Sequence, residues 1–449
     1  MHARRWFAIV VVLLLASFAD AAPRYNVLWL VVDDLNTDIN CYGQPIAQTP
    51  NIDRLAARGV RFDRAFCQYA LCNPSRSSFI SGLYPDRTGV IEQEGKARKN
   101  LPDAVFLPQL FRQNGYSTDA RGKIHHGSNV NEASWDSYDD AKGNDPQELS
   151  EAKFRRGSAD RQPRWAVLEG EGEKAADGQH SASVEQILAE RSKSDKPFFV
   201  ALGLHKPHVP WTAPKRAFEF YPSAQMPLRE LLVARDAPDI ALETEWPRGT
   251  RSSTPQEALG AYLACVSYTD ANVGRMMTTL DRLDLWKTTI VVFMSDHGFH
   301  LGDHGLWSKK TLFEQSLRVP MIVVMPDGRN AGRTCRRTVQ LLDVYPTLAD
   351  LCSLPAPKEL DGHTLRPLLD APDAPWPHAA YSTVVHEGGR GYSIRTERWR
   401  YTEWERGKAG VELYDHDLDP LEISNLAARP ELAGTVQELS SALRKMCGK

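Results

Sequence analysis

Carboxylates, imidazoles and amines gather at the ends of a few apolar runs in the 449-residue chain. Asp33 and Asp34 close "YNVLWLVVDDL" (25–35), His205 and His208 lie at the end of "KPFFVALGLHKPHVP" (196–210), and Asp296 and His297 close "TTIVVFMSDHG" (288–298). Adjacent carboxylates repel each other unless something positive neutralises them. Capping the next helix would explain one aspartate and not two. A divalent cation explains both, and hard oxygen ligands favour calcium or magnesium over zinc. His297 is then an imidazole in an oxygen-rich set. Lys123, His125 and His126 in "RGKIHHG" and Lys309 in "DHGLWSKK" add positive and proton-carrying groups. Singly, each is an ordinary surface or core residue. Gathered in loops after strands, around a metal and an arginine, they would stabilise a multiply charged oxyanion such as a sulfate or phosphate ester.

Cys72 sits in the polar stretch "LCNPSRSSF" (71–79). It is one of seven cysteines, an odd count that leaves at least one unpaired, and no C-x-x-C pair points to zinc. A disulfide is the plain reading in an exported chain. A thiolate nucleophile would need a depressed pKa, for which only Arg76 is close in sequence.

The elements that must position these groups can be read from periodicity. Apolar runs at 25–35, 196–210, 288–298 and 319–326 read as buried strands. Helical spacing covers 50–62, ending at a glycine, and 254–283; "FLPQLFRQNGYSTDARGKI" repeats a helix–glycine–strand theme. Strands alternating with helices predict an α/β fold with a large, mainly parallel sheet sandwiched by helices. Ligands in such sheets bind at the carboxyl ends of strands, where these residues lie. The segment 135–190 is polar and poor in strand signals, and reads as a surface excursion at a site rim. With 225–255 it is expected to shape a substrate pocket. "DAPDAPWPHAA" (370–380) reads as a boundary, followed by a small antiparallel sheet.

Composition is that of a soluble globular protein, 42% hydrophobic and 25% charged. The net charge of −3 offers no argument for nucleic acid as a partner. Arg4 and Arg5, an apolar run from Phe7 to Ala19 and the A-x-A of Ala19–Ala21 read as a secretory signal. No later segment is apolar enough to span a bilayer. The expected organisation is a signal peptide over 1–21, a catalytic domain over 22–375 and a C-terminal subdomain over 376–449.

C-x-P-S-R at Cys72–Arg76 resembles the signature of type I, formylglycine-dependent sulfatases, and "CNPSRSSFISGLYPDRTGV" continues the likeness. "VLWLVVDDL" resembles the family's first metal-binding strand, "GKIHHG" its second signature, "PHVP" its histidine loop and "SDHGFHLGDHGLWSKK" its second metal loop and lysine. Within the family, His297, "HKPHVPW" and "GYSIRTERWRYTEW" resemble the iduronate-2-sulfatase branch. The resemblance implies an alkaline-phosphatase-like fold and a maturation enzyme that converts Cys72 to formylglycine. It implies one calcium ion held by Asp33, Asp34, Asp296, His297 and the modified Cys72. It places Arg76, Lys123, His126, His208 and Lys309 around the sulfate, with His208 protonating the leaving oxygen and His126 acting as base. Most sulfatases have the second-signature histidine two positions after the lysine and the iduronate branch has it three after; this chain has both His125 and His126, and the branch features favour His126. The implied activity is hydrolysis of sulfate esters of sulfated sugars, with 2-O-sulfated uronic acid as substrate, in an exported, periplasmic, secreted or lysosome-like compartment. Lys309, Arg395 or Arg398 would face the sugar carboxylate. The alternatives are a phosphate or phosphonate monoester hydrolase on the same scaffold, and a non-catalytic calcium-dependent binder of sulfated glycans. The latter predicts gaps in the motif set, and there are none.

Overall fold

A computed structural model of the chain describes residues 24–127, 129–141, 165–168, 170–227, 232–243 and 254–447. The expected signal peptide lies outside them, as do parts of the 135–190 and 225–255 segments.

The first apolar run forms the strand Asn26–Asp33, in which every residue after Asn26 is buried. Its unbroken hydrophobicity has a geometric cause, because both faces of the strand are covered. Val27, Trp29 and Val31 enter one apolar layer together with Phe79, Phe199 and Tyr345. Leu28, Leu30 and Val32 enter the opposite layer with Leu202, Tyr262 and Val266. Parallel strands flank it on both sides, Phe198–Pro207 in the register Leu28 to Val200 and Thr289–Ser295 in the register Trp29 to Val292.

Eight strands make the main sheet. From one edge they are Thr334–Gln340, Val60–Phe66, Arg318–Val324 and Thr289–Ser295, then Asn26–Asp33, Phe198–Pro207, Ser117–Gly122 and Ser137–Asp139. Neighbours are parallel except around Arg318–Val324, which runs antiparallel to both of its partners. The sheet is therefore mainly parallel, as expected, with one reversed strand. The buried run "VPMIVVMP" specifies a strand but carries no information about its direction.

Thr254 opens the long helix Pro255–Arg282 through a capping box. Its hydroxyl accepts the Glu257 N–H at 3.2 Å, and the Glu257 carboxylate accepts the Thr254 N–H at 2.9 Å. The helix buries Leu259, Tyr262, Leu263 and Val266 in the second layer. Helix Ala176–Arg191 packs beside it, and this corrects the expectation of a surface excursion there. Its buried positions include Ala176, Asp177, Gly178, His180 and Ser181, small or polar residues that a hydrophobic pattern does not reveal. Helix Cys72–Ser81 covers the other layer with Phe79 and Ile80.

Strands Ala380–His386, Gly389–Arg395, Trp399–Trp404 and Gly410–Asp415 form the expected C-terminal antiparallel sheet, each pairing with the next. Helix Ala433–Met446 covers it with Leu439 and Leu443 against Tyr381, Ile394 and Tyr401. A buried ion network ties this sheet to the short helix Glu314–Leu317. Glu314 accepts from Arg400 Nη2 at 2.6 Å and Arg395 Nε at 3.2 Å, while Arg400 Nε donates to Glu422 at 2.5 Å. Cys72 is a free thiol, so the plain disulfide reading does not describe this fold.

Candidate active site

The carboxyl ends of the central strands converge on Cys72. Asp34 follows its strand in the left-handed region, at a φ of 64°, which a non-glycine residue rarely adopts. Its N–H donates to Asp296 Oδ1 at 3.2 Å, joining the two strand ends. Cys72 is the first residue of its helix and is fully buried. Its Sγ lies 3.4 Å from His297 Nε2 and 3.4 Å from Lys309 Nζ.

The Cys72 to Arg76 spacing is one helical turn, which puts both side chains on the same face. Arg76 reaches across the strand ends: Nε donates to Asp296 Oδ2 at 2.9 Å and Nη2 to Asp33 Oδ1 at 3.1 Å. Its Nη1 donates to the carbonyls of Lys123 and Ile124. Lys123 Nζ is bonded to Asp33 and Lys309 Nζ to Asp34. Lys309 is aimed by its neighbours, since Ser308 and Lys310 both take left-handed φ values, 85° and 72°. Lys123 is admitted by Gly203, where a Cβ would stand 2.2 Å from the Lys123 carbonyl carbon and oxygen.

The two adjacent histidines of "KIHHG" part company. His125 is buried, stacks edge-on with Trp135 and Tyr138, and accepts a 2.9 Å hydrogen bond from Trp135 Nε1. Burial, helped by Arg76, pushes its pKa down to about 3. The His126 side chain instead lies beside Cys72 and lowers its pKa, as does that of His208. His205 does not reach this point; it pairs with Asp140.

The charges shift one another strongly. Burial alone would raise the Cys72 thiol, but Lys123 and Lys309, with His126 and His208, hold it well below the usual range. Burial and Cys72 would raise Asp33, yet Lys123, His208 and Arg76 hold it well below the usual carboxylate range. Asp296 goes the other way, to about 7, because burial, with Asp33 and Cys72, outweighs Arg76 and His297. His297 rises to about 9, where Asp296 and Cys72 overcome burial and Lys309.

Donor atoms of Asp33, Cys72, Asp296 and His297 lie within 4.8 Å of one another, and those of Asp33, Asp34, Cys72 and His208 form an overlapping group. All five residues expected to hold a metal are therefore together. Asp34 Oδ2 is buried there with no hydrogen-bond partner. Three carboxylates with an orphaned oxygen fit a hard divalent cation.

A cavity of about 590 Å³ opens beside the site, lined by Lys309 and Lys310 and by Glu92, Glu243, His386 and Glu387. Arg395 and Arg398 do not line it. Arg395 is buried against Glu314, and Arg398 is held by Asp415 at 2.7 and 3.0 Å. Neither Lys310, the last residue of "DHGLWSKK", nor His386 was singled out by the sequence; their place in the fold brings them to the cavity.

The family model described as Sulfatase matches residues 25–354. This chain belongs to the sulfatase family. A second model, N-sulphoglucosamine sulphohydrolase, C-terminal, matches residues 302–449. The sulfatase is 32% identical to a sulfatase of Formosa agariphila over 94% of this chain and 86% of that protein. It is 30% identical to iduronate 2-sulfatase of Mus musculus over 97% of this chain and 98% of the relative. Among solved structures, phosphonate monoester hydrolase of Agrobacterium radiobacter superposes with a TM-score of 0.79 at 23% identity, covering 94% of this chain and 95% of that one, a likeness of fold. As a sulfatase, the protein is a hydrolase of sulfate esters.

Proposed function

We propose that this sulfatase removes sulfate from sulfated sugars, with 2-O-sulfated uronic acid as its substrate. It would work in an exported compartment after a maturation enzyme converts Cys72 to formylglycine. The observation that carries this reading is the setting of Cys72, buried among Lys309, His297, His126 and His208 in a carboxylate cluster that fits a divalent cation. Likeness to an iduronate 2-sulfatase along nearly the whole of both chains supports the sugar.

Asp33, Asp34, Asp296, His297 and residue 72 would hold the cation, calcium by donor type. When present, the ion and the residue-72 aldehyde would supply an oxygen nucleophile and Lewis acidity toward the sulfate oxygens. The remaining work falls to side chains. Arg76 fixes Asp33 and Asp296 in place. Lys123 and Lys309 offset negative charge on the sulfate. His208 gives a proton to the leaving sugar oxygen, a poor leaving group when unprotonated, and His126 takes a proton from residue 72.

With Arg395 and Arg398 engaged elsewhere, Lys310 is the cavity lysine next to Lys309 and the cation we assign to the sugar carboxylate. Assay of matched 2-O-sulfated uronates, 6-O-sulfated hexosamines, aryl sulfates and aryl phosphates tests the reading. The expected order has the uronate first, and Lys310→Ala lowers kcat/KM on it by about tenfold or more while sparing aryl sulfate. Turnover confined to 6-O-sulfated hexosamine would remove the uronate assignment, and a higher kcat/KM for aryl phosphate would remove sulfate itself.

A further inference from the structure

Outside the catalytic cluster, three side chains of metal-ligating type meet near Gly122, the residue before Lys123. Asp140 follows the edge strand Ser137–Asp139, His180 lies in helix Ala176–Arg191, and His205 lies in strand Phe198–Pro207. One donor atom from each lies within 4.8 Å of the others. His205 Nε2 and Asp140 Oδ1 are 2.8 Å apart, and the His180 and His205 rings lie at 25° with centroids 6.0 Å apart. A hydrogen-bonded His205–Asp140 pair accounts for two of the three residues. It does not account for His180, which is only 4% exposed and whose Nδ1 is buried with no hydrogen-bond partner. That nitrogen lies over the strand end, where a Cβ on Gly122 would stand 3.1 Å from it.

We propose that Asp140, His180 and His205 form a second metal site, which takes a borderline transition metal such as zinc. Two imidazole nitrogens and one carboxylate oxygen are a zinc-type donor set and leave one tetrahedral position for water. The catalytic cluster, with three carboxylates, selects a harder ion. Among the described residues, the other cluster of this kind, Glu314, His416 and Glu422, already holds two guanidinium groups in place of a cation. The site has a mechanical role. Gly122 precedes Lys123, and His205 stands three residues before His208. The helix also grips the loop directly, since Asp177 accepts the N–H groups of His205 and Lys206 at 2.8 and 2.9 Å. A metal at this point fastens the edge strand, the helix and the histidine loop together behind the residues that face Cys72.

The test uses the full-length, untagged chain, stripped with chelator and refilled with excess calcium so that the catalytic cluster is occupied. Zinc is then titrated by calorimetry and cobalt by visible absorption. The expected result is one zinc equivalent and tetrahedral cobalt bands. His180→Ala should weaken zinc binding at least about tenfold, His205→Ala and Asp140→Asn should do the same, and Cys72→Ala should leave it unchanged. Far-UV circular dichroism of each zinc-free variant checks the fold, with His180→Gln as the replacement if His180→Ala does not fold. Absence of a saturable zinc equivalent, or an equivalent that survives the His180 substitution or disappears in Cys72→Ala, overturns the proposal.

Discussion

His125 and His126 are neighbours in sequence with opposite environments. His125 accepts from Trp135 in a buried pocket and is held neutral, whereas His126 meets Cys72. Substituting each by alanine should therefore give different phenotypes. His126→Ala should lower kcat by about 10²- to 10⁴-fold, the range for a lost acid–base group, with an unchanged melting temperature. His125→Ala should destabilise the protein by about 1–3 kcal/mol, because the Trp135 N–H is left buried without an acceptor. Thermal melts and steady-state kinetics on both variants check this. An equal loss of kcat with no loss of stability in His125→Ala would reverse the two assignments. Sequence could place both imidazoles near the site, since they follow a strand end. It could not separate them, because the group that claims His125 is a tryptophan ten residues on. Nor could it show that Arg395 is consumed by Glu314, 81 positions away.

At the scale of elements, the site depends on how closely two strand ends approach. Strands Ser117–Gly122 and Phe198–Pro207 pair Gly122 with Gly203, and the next residue, Lys123, lies against Gly203 with no room for a methyl group. Gly203→Ala must push the Lys123 backbone away. The expected loss in kcat/KM is about a hundredfold, the effect of a displacement near 1 Å in a catalytic group, with far-UV circular dichroism retained. Wild-type activity in Gly203→Ala would mean that Lys123 tolerates the shift. The strands themselves were legible, because an unbroken apolar run closed by Asp33, His205 or Asp296 suits a strand buried on both faces with its end at a polar site. The reversal of strand Arg318–Val324 was not, since an apolar run reads the same in either direction. Helix Ala176–Arg191 was also missed, because its apolar positions Val184, Ile187 and Leu188 cover only its second half, while its first turns bury Ala176, Gly178, His180 and Ser181.

At the scale of the whole molecule, the C-terminal sheet is joined to the rest through Glu314, Arg395, Arg400 and Glu422. Burial works against the Glu422 carboxylate, and Glu314 adds repulsion, but Arg400 and His416 bring its pKa down from 4.5 to about 2. A folded pKa below the unfolded value means that the unfolded chain binds more protons in acid. This contribution to stability is complete above pH 4.5 and is lost as pH falls toward 2. Glu422→Gln should cost up to about 3–5 kcal/mol at neutral pH, the range for breaking a buried ion pair, with Arg400 keeping only Glu314 as its charged partner among the described residues. It should also flatten the stability profile across that acid window. Urea midpoints at pH 3, 5 and 7 measure both effects, and parallel profiles for wild type and variant would exclude Glu422 as the titrating group.

The burial of the "CNPSR" helix bears on how active molecules arise. Cys72, Pro74 and Arg76 are all inside the folded protein, under strand ends contributed by residues as distant as Asp296. An enzyme that reads this segment as a linear tag must therefore reach it before the downstream strands arrive. If Cys72 is converted as proposed, the yield of competent protein is the outcome of a race between two rates, modification and folding, and not a property of the finished fold. Variants that fold faster, or hosts that translate faster, should give more stable protein of lower specific activity, with the deficit recorded as unmodified thiol at residue 72.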